Sequence, residues 1–272
     1  MTITKKSWSK YIAALRRIND KATESMMYYI QEYGMPQTPD DLSEFIYTAF
    51  NLSTKYGEAA AALACEMYDA AAIASGAALV AAEPAPTATY AEVAKAINGT
   101  LKTGNAEIVS ASVGRMVKLA GVDTTLQNAV RDGAEFAWIP VGDTCPYCIT
   151  LAALGWRNAG KKTLRGKHAE HVHANCDCTY AIRFNGDTKY DGYDPDYYDD
   201  MIRNMTDGEY DADSMIRTAG RTSRWSGRDY DGLNMMRRSI YEQNKDEINA
   251  QKRSAYAKRK ERESSKAEEI KV

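Results

Sequence analysis

From Ser7 to Tyr33 apolar residues return every three or four positions. Trp8, Tyr11, Ile12, Leu15, Ile18, Ala22, Met26, Tyr29 and Ile30 take one side, while Lys10, Arg16, Arg17, Asp20, Lys21 and Glu24 take the other. That period predicts an amphipathic helix over residues 7–33, with Ser7 as its N-cap, Gly34 as its stop and Pro36 beyond. Thr38-Pro39-Asp40-Asp41 is a cap signal for a second helix carrying Leu42, Phe45, Ile46 and Phe50. A third helix, from about Gly57 to Ala82, is rich in alanine, so its neighbours can approach closely. Nothing catalytic is spaced along these helices, and they read as a packed bundle. Glu83-Pro84-Ala85-Pro86-Thr87 breaks the pattern as a linker. Beyond it Tyr90 to Ile97, Ala106 to Leu119 and Thr124 to Glu135 read as helices, separated by Asn98-Gly99 and Ala120-Gly121.

The period then changes. Phe136 to Val141 is short, aromatic and apolar, and Gly142-Asp143 bounds it, which predicts a strand. Cys178 to Phe184 alternates, with Tyr180, Ile182 and Phe184 on one face, and predicts a second strand. Helices with a few strands make an α+β chain. From Asp187 to Asp213 ten carboxylates face two basic residues, with five tyrosines interleaved. The ordered oxygen spacing of a calcium loop is absent, so the segment reads as solvated and anchored by its tyrosines. From Met215 to Arg238 the sign reverses, and the last 22 residues carry eight basic and four acidic side chains. That end reads as a solvated helix or a disordered tail whose basic run can touch nucleic acid.

Between the two strands lies the chemistry. Four of the five cysteines (Cys145, Cys148, Cys176, Cys178) and all three histidines (His168, His171, His173) fall between positions 145 and 178. Two ligand pairs separated by about 25 residues are how a chain closes a tetrahedral zinc site, each pair on its own tight turn. Cys145 and Cys148 supply one knuckle; His173 with Cys176 or Cys178 supplies the other. Cys176 and Cys178 point to the same side of an extended strand, so both can also reach the metal and displace His173. Four protein ligands leave no open position for water, which makes the zinc structural. Three enzymatic readings compete. Cys145-Pro-Tyr-Cys148 is also the active-site tetrapeptide of glutaredoxins, but the further sheet and proline-bearing loop of that fold do not follow. His168-Ala-Glu170 with the cysteine pair suggests a zinc deaminase, yet the order of the two motifs is reversed. A histidine nuclease using His168, His171 and His173 would leave the cysteines idle. No enzyme is therefore expected.

Totals narrow the class further. A net charge of −2 gives no global pull toward nucleic acid or membrane. The first twenty residues are charged throughout and lack the apolar core of a signal peptide. The most apolar run, Ala70 to Ala82, is too short and too alanine-rich to span a bilayer. In a reducing compartment paired thiols favour metal over disulfide. Cys65, in the alanine-rich helix, reads as a small core residue.

The run Phe136-Ala-Trp-Ile-Pro-Val-Gly-Asp-Thr-Cys-Pro-Tyr-Cys148, continuing to Gly155, resembles the cysteine half of the signature of MuF-like head morphogenesis proteins, minor capsid proteins of tailed phages. His173-Ala-Asn-Cys176-Asp-Cys178 with the strand after it matches the second half, and Tyr193-Asp-Pro-Asp-Tyr197 follows. The chain departs from the pattern at Ala174 and at Asp177. The resemblance implies a virion protein present in few copies at or near the portal of the phage head, assembled in the host cytoplasm. It implies a role in head assembly, genome packaging or DNA delivery, with portal and major capsid proteins as partners. Together these readings divide the chain into three parts. Residues 1–83 are a helical docking region, and 84–190 a mixed α+β module clipped by zinc. Residues 191–272 are an acidic then basic extension, partly helical or disordered, that meets packaged DNA.

Overall fold

The computed structural model describes residues 2–77, 81–141, 145–160, 179–219 and 231–269. They form two compact units, 1–195 and 196–272. The described chain is mostly helical with a small sheet part.

In the first unit, strand β1 (Thr2–Ile3) leads into helix α1 (Lys5–Tyr33). The N-cap is Thr4 rather than Ser7: the Thr4 hydroxyl accepts from the Ser7 N–H at 3.2 Å, and Gly34, at φ 82°, stops the helix. Helix α2 (Pro39–Ala74) opens on the expected signal, a capping box between Thr38 and Asp41. It absorbs both the second and third predicted helices and ends at Ser75, short of Ala82. Helix α3 (Tyr90–Leu101) runs through Asn98-Gly99, and α4 (Ala106–Asp132) joins the two stretches that Ala120-Gly121 was expected to part. Gly57 and Gly121 are internal because packing uses them. A Cβ at Gly57 would meet the Thr87 methyl at 3.0 Å and Ala120 at 3.5 Å, and one at Gly121 would lie 3.4 Å from the Ala60 carbonyl. The α2–α4 pair, the most extensive contact in the chain, is thus held at backbone range.

Residues 83–87 have no regular structure, yet they are tied to the helices. The Glu83 N–H donates to Asn128 Oδ1 and its carbonyl accepts from Asn128 Nδ2, while the Ala85 N–H donates to Thr124. The segment is a strap laid along α4.

Strand β2 (Glu135–Ile139) is the centre of a three-stranded antiparallel sheet, flanked by β3 (Arg157–Asn158) and β4 (Thr179–Arg183). Between β2 and β3 lies helix α5 (Pro146–Ala153). Both long strands fall where alternation placed them. The open edge of β4 is closed by a side chain. The Tyr190 hydroxyl donates to the Ile182 carbonyl at 2.8 Å and accepts from the Ile182 N–H at 3.3 Å. Tyr190 belongs to β5 (Lys189–Tyr190), which pairs in parallel with β1, and the Asp191 N–H donates to Ile3. Two cores result. One joins Met26, Phe45, Val93, Ile97, Val113 and Val117 of the four long helices; the other packs Trp8, Tyr11 and Ile12 against Ile139, Ala181 and Tyr190.

The second unit carries α6 (Pro195–Met205), which begins at the unit boundary, then α7 (Ala212–Ala219) and α8 (Asp231–Glu269). Ile202, Met215 and Met236 are buried, and a Cβ on Gly232 would strike the Met215 sulfur and the Tyr210 ring. The acidic stretch is tyrosine-anchored as expected: Tyr190 is buried and the Tyr193 hydroxyl donates to the Ala152 carbonyl at 2.8 Å. The C-terminal end is helical through Glu269.

Candidate metal centre

Strand β2 ends at Ile139, and Pro140 and Val141 carry the chain off the sheet. Cys145 then takes the N-cap of α5 with extended backbone (φ −71°, ψ 156°), and Pro146, whose fixed φ suits the position, opens the helix. The Thr150 hydroxyl donates back to the Pro146 carbonyl at 2.9 Å and secures the turn. Cys145 makes no side-chain capping bond, so its sulfur is not spent on the helix. Cys148 sits one turn on and is buried, while Cys145 is half-buried at the rim. Residues three apart share a helix face, so both sulfurs serve one side of the helix start. Two thiolates on one turn are a fitting half of a tetrahedral zinc site.

The surroundings are buried and aromatic. Trp138 and Tyr180, opposite each other across β2 and β4, meet edge-on with ring centroids 4.6 Å apart. The indole Nε1 and the phenol oxygen are both buried and have no hydrogen-bond partner among the described residues. Each can donate, and an unmet buried donor favours an acceptor such as a thiolate. Burial, and then the nearby Tyr147, Cys148 and Asp123, hold the Tyr180 proton on. Tyr147 is pushed up to about 12 by burial, with Cys148 and Cys145 adding to it. Asp123 of α4 is pushed up to about 6 by burial, with Glu92 adding to it. Sequence reasoning passed over Tyr147, Trp138 and Asp123 as site neighbours. The available signal was a lone carboxylate after the small, apolar Ala120-Gly121-Val122 turn.

His168, His171, His173, Cys176 and Cys178 lie outside the described residues, as does Glu170. Among the described residues no group of three or more His, Cys, Asp or Glu side chains converges on a metal position. The sheet register nevertheless bears on the missing half. Ile139, six positions before Cys145, pairs with Thr179, the residue directly after Cys178. Consecutive Cα atoms are about 3.8 Å apart, so the two halves of the motif join the sheet at the same end of one ladder.

Residues 2–205 match the family model described as VG15 protein. The chain belongs to the VG15 protein family. That is a viral and phage family, so the chain is a phage-type protein. The VG15 match runs from β1 through α6, and it leaves α7 and α8 outside. Neither curated proteins nor solved structures yield a match to the chain. Among the described residues no helix is long and apolar enough to cross a membrane.

Proposed function

We propose that this VG15 family protein is a structural minor capsid protein of the MuF-like kind, acting near the portal in head assembly, genome packaging or DNA delivery. A structural zinc ion held by Cys145 and Cys148, with His173 and Cys176 or Cys178, clips its sheet module. The observation that supports this reading is the pairing of Ile139 with Thr179, which joins the segment leading to Cys145 and the strand that follows Cys178 in sequence at one end of a small sheet. A two-residue β3 and a five-residue β4 bury little on their own. Metal binding would supply folding free energy to such a module. When bound, zinc supplies a cross-link and no open coordination position; the protein's own groups supply the helix N-terminus and the buried donors around it.

The partners are those that the resemblance implies. The helical N-terminal part would dock on the portal or major capsid protein, and Tyr28, Tyr33 and Tyr47 stand 67%, 74% and 58% exposed there. The basic C-terminal region would meet packaged DNA. The protein would reside in the phage head, after assembly in the host cytoplasm, with no membrane stage.

Elemental analysis of the purified chain, with thiol titration before and after chelation, tests the zinc clip. One zinc per chain, and cysteines that react only after the metal is stripped, are the expected result. A second reading, a thiol–disulfide oxidoreductase or zinc-dependent enzyme on the same cluster, draws on one feature. Cys145 at the rim with Cys148 buried behind it is also the arrangement of an attacking and a resolving thiol. No metal together with fast alkylation of Cys145 would favour that reading and sink the clip.

A further inference from the structure

Helix α8 is 39 residues long, and the buried side chains described along it lie in its first turns. Leu233 and Met236 are buried, whereas Tyr241 and every described side chain from there through Glu247 are exposed. A helix that leaves its unit this way gains little from apolar burial, and its surface chemistry is set by its charges.

Those charges are biased to one side. Lys245, Asn249, Lys252, Arg253, Tyr256 and Lys260 follow at steps of four, three, one, three and four, which is the spacing of a single helix face. Glu247 falls off that face and Asp246 lies at its border, while Glu242 pairs with Lys245 at 3.2 Å at its N-terminal end. The four cations are exposed, and Tyr256, in the middle of the stripe, is 68% exposed. From 252 to 260 the sequence has five basic residues and no acidic one. At about 1.5 Å per residue the stripe from 245 to 260 is about 22 Å long.

We propose that this face of α8 is a binding surface for the phosphate backbone of duplex DNA. The proposal rests on the reading that the C-terminal region meets packaged DNA and names the element and residues that do so. Duplex DNA carries one charge per about 1.7 Å of axis, so a 22 Å row of cations matches it in length and sign. An α-helix fits the width of the major groove or lies across its rim, and a tyrosine hydroxyl among cations donates to phosphate oxygen. No base-reading set accompanies the stripe, so binding is independent of sequence. An anionic membrane is the weaker occupant. Ile240 and Ile248 are the large aliphatic side chains between 240 and 260, too few for the apolar face a helix needs to lie in a lipid interface. The stripe lies outside the VG15 match, so it belongs to this chain's extension rather than to the family module.

The test uses the full chain and a random-sequence DNA duplex, with affinity read by fluorescence anisotropy over a salt series. Three proteins are compared: wild type, a stripe variant (Lys245, Lys252, Arg253 and Lys260 to Gln) and a control (Lys6, Lys10, Arg17 and Lys21 to Gln). Glutamine matches lysine and arginine in helix propensity, and circular dichroism checks that α8 persists. The stripe variant is expected to bind roughly tenfold or more weakly at 100 mM salt, with a salt slope shallower by about three to four. The control keeps wild-type binding. Equal losses in both variants, or none in the stripe variant while wild type binds, would overturn the stripe and leave DNA contact elsewhere intact. No binding by wild type would overturn the stripe and the DNA reading together. Tighter binding of wild type to phosphatidylserine vesicles than to DNA, lost in the stripe variant, would assign the stripe to membranes and overturn the proposal.

Discussion

Tyr190 does at one residue what a neighbouring strand does elsewhere. Its hydroxyl meets both the N–H and the carbonyl of Ile182 on the open edge of β4, deep in a core shared with Trp8. Replacing it with phenylalanine keeps the packing but strands two buried backbone groups. Tyr190→Phe should cost about 1–3 kcal/mol, read from urea unfolding. Asp123 provides the opposite case, a group whose burial works against stability. Its carboxyl is pushed up to about 6 by burial and then by Glu92, above its ordinary value. A raised carboxyl pKa means the folded state holds the proton more tightly than the unfolded chain. The stability it contributes is therefore full below about pH 4 and is lost as pH rises through about 6. Asp123→Asn should remove that dependence and, at pH 7, stabilise the fold by about 1–2 kcal/mol after allowance for its partial exposure. Matching slopes for the two proteins between pH 4 and 7 would refute this assignment.

At the scale of elements, glycine changes meaning with its surroundings. A Cβ on Gly114 of α4 would meet the Thr23 hydroxyl and, at 2.7 Å, Asn19 Oδ1 on α1, whereas one on Gly99 of α3 meets nothing within 4 Å. Gly114→Ala gains about 1 kcal/mol of helix propensity but forces α1 and α4 apart, and should destabilise by about 1–3 kcal/mol. Gly99→Ala keeps only the gain and should stabilise by about 0.5–1 kcal/mol; paired thermal melts distinguish them. The same ambiguity explains what was legible in the sequence. Thr38-Pro39-Asp40-Asp41 was readable because a cap is a local bond between named side chains. Phe136–Ile139 was readable as a short aromatic and apolar run bounded by a turn signal, and Tyr180–Ile182 by its alternation, both local features. Gly57 and Gly121 were taken as helix ends, since a close helix crossing and a break use the same residue and only tertiary contact tells them apart. Two-residue strands such as β1 carry no period at all. For the site, Cys145 and Cys148 on a turn after a strand could be foreseen. The Trp138–Tyr180 pair beside them arises from cross-strand register, which spacing along the chain does not encode.

For the whole molecule, the boundary at 195 separates a body that closes on itself from an extension that does not share its sheets. A fragment of residues 1–195 should fold, whereas 1–187 loses β5, Tyr190 and the Tyr193 bond to Ala152 and should melt at lower temperature or not fold. Circular dichroism of the two fragments makes the comparison. The closure of β1 on β5 also has a consequence for the order of events in the cell. Thr2 and Ile3 are synthesised 187 positions before their partners Lys189 and Tyr190. At about 5–20 residues per second the N-terminus waits roughly 10–40 s for its strand. Throughout that time Trp8 lacks the Tyr190 ring it packs on edge-to-face in the finished body. Until then the nascent chain carries an aromatic surface that Tyr190 has yet to cover, and the body closes only once β5 has emerged.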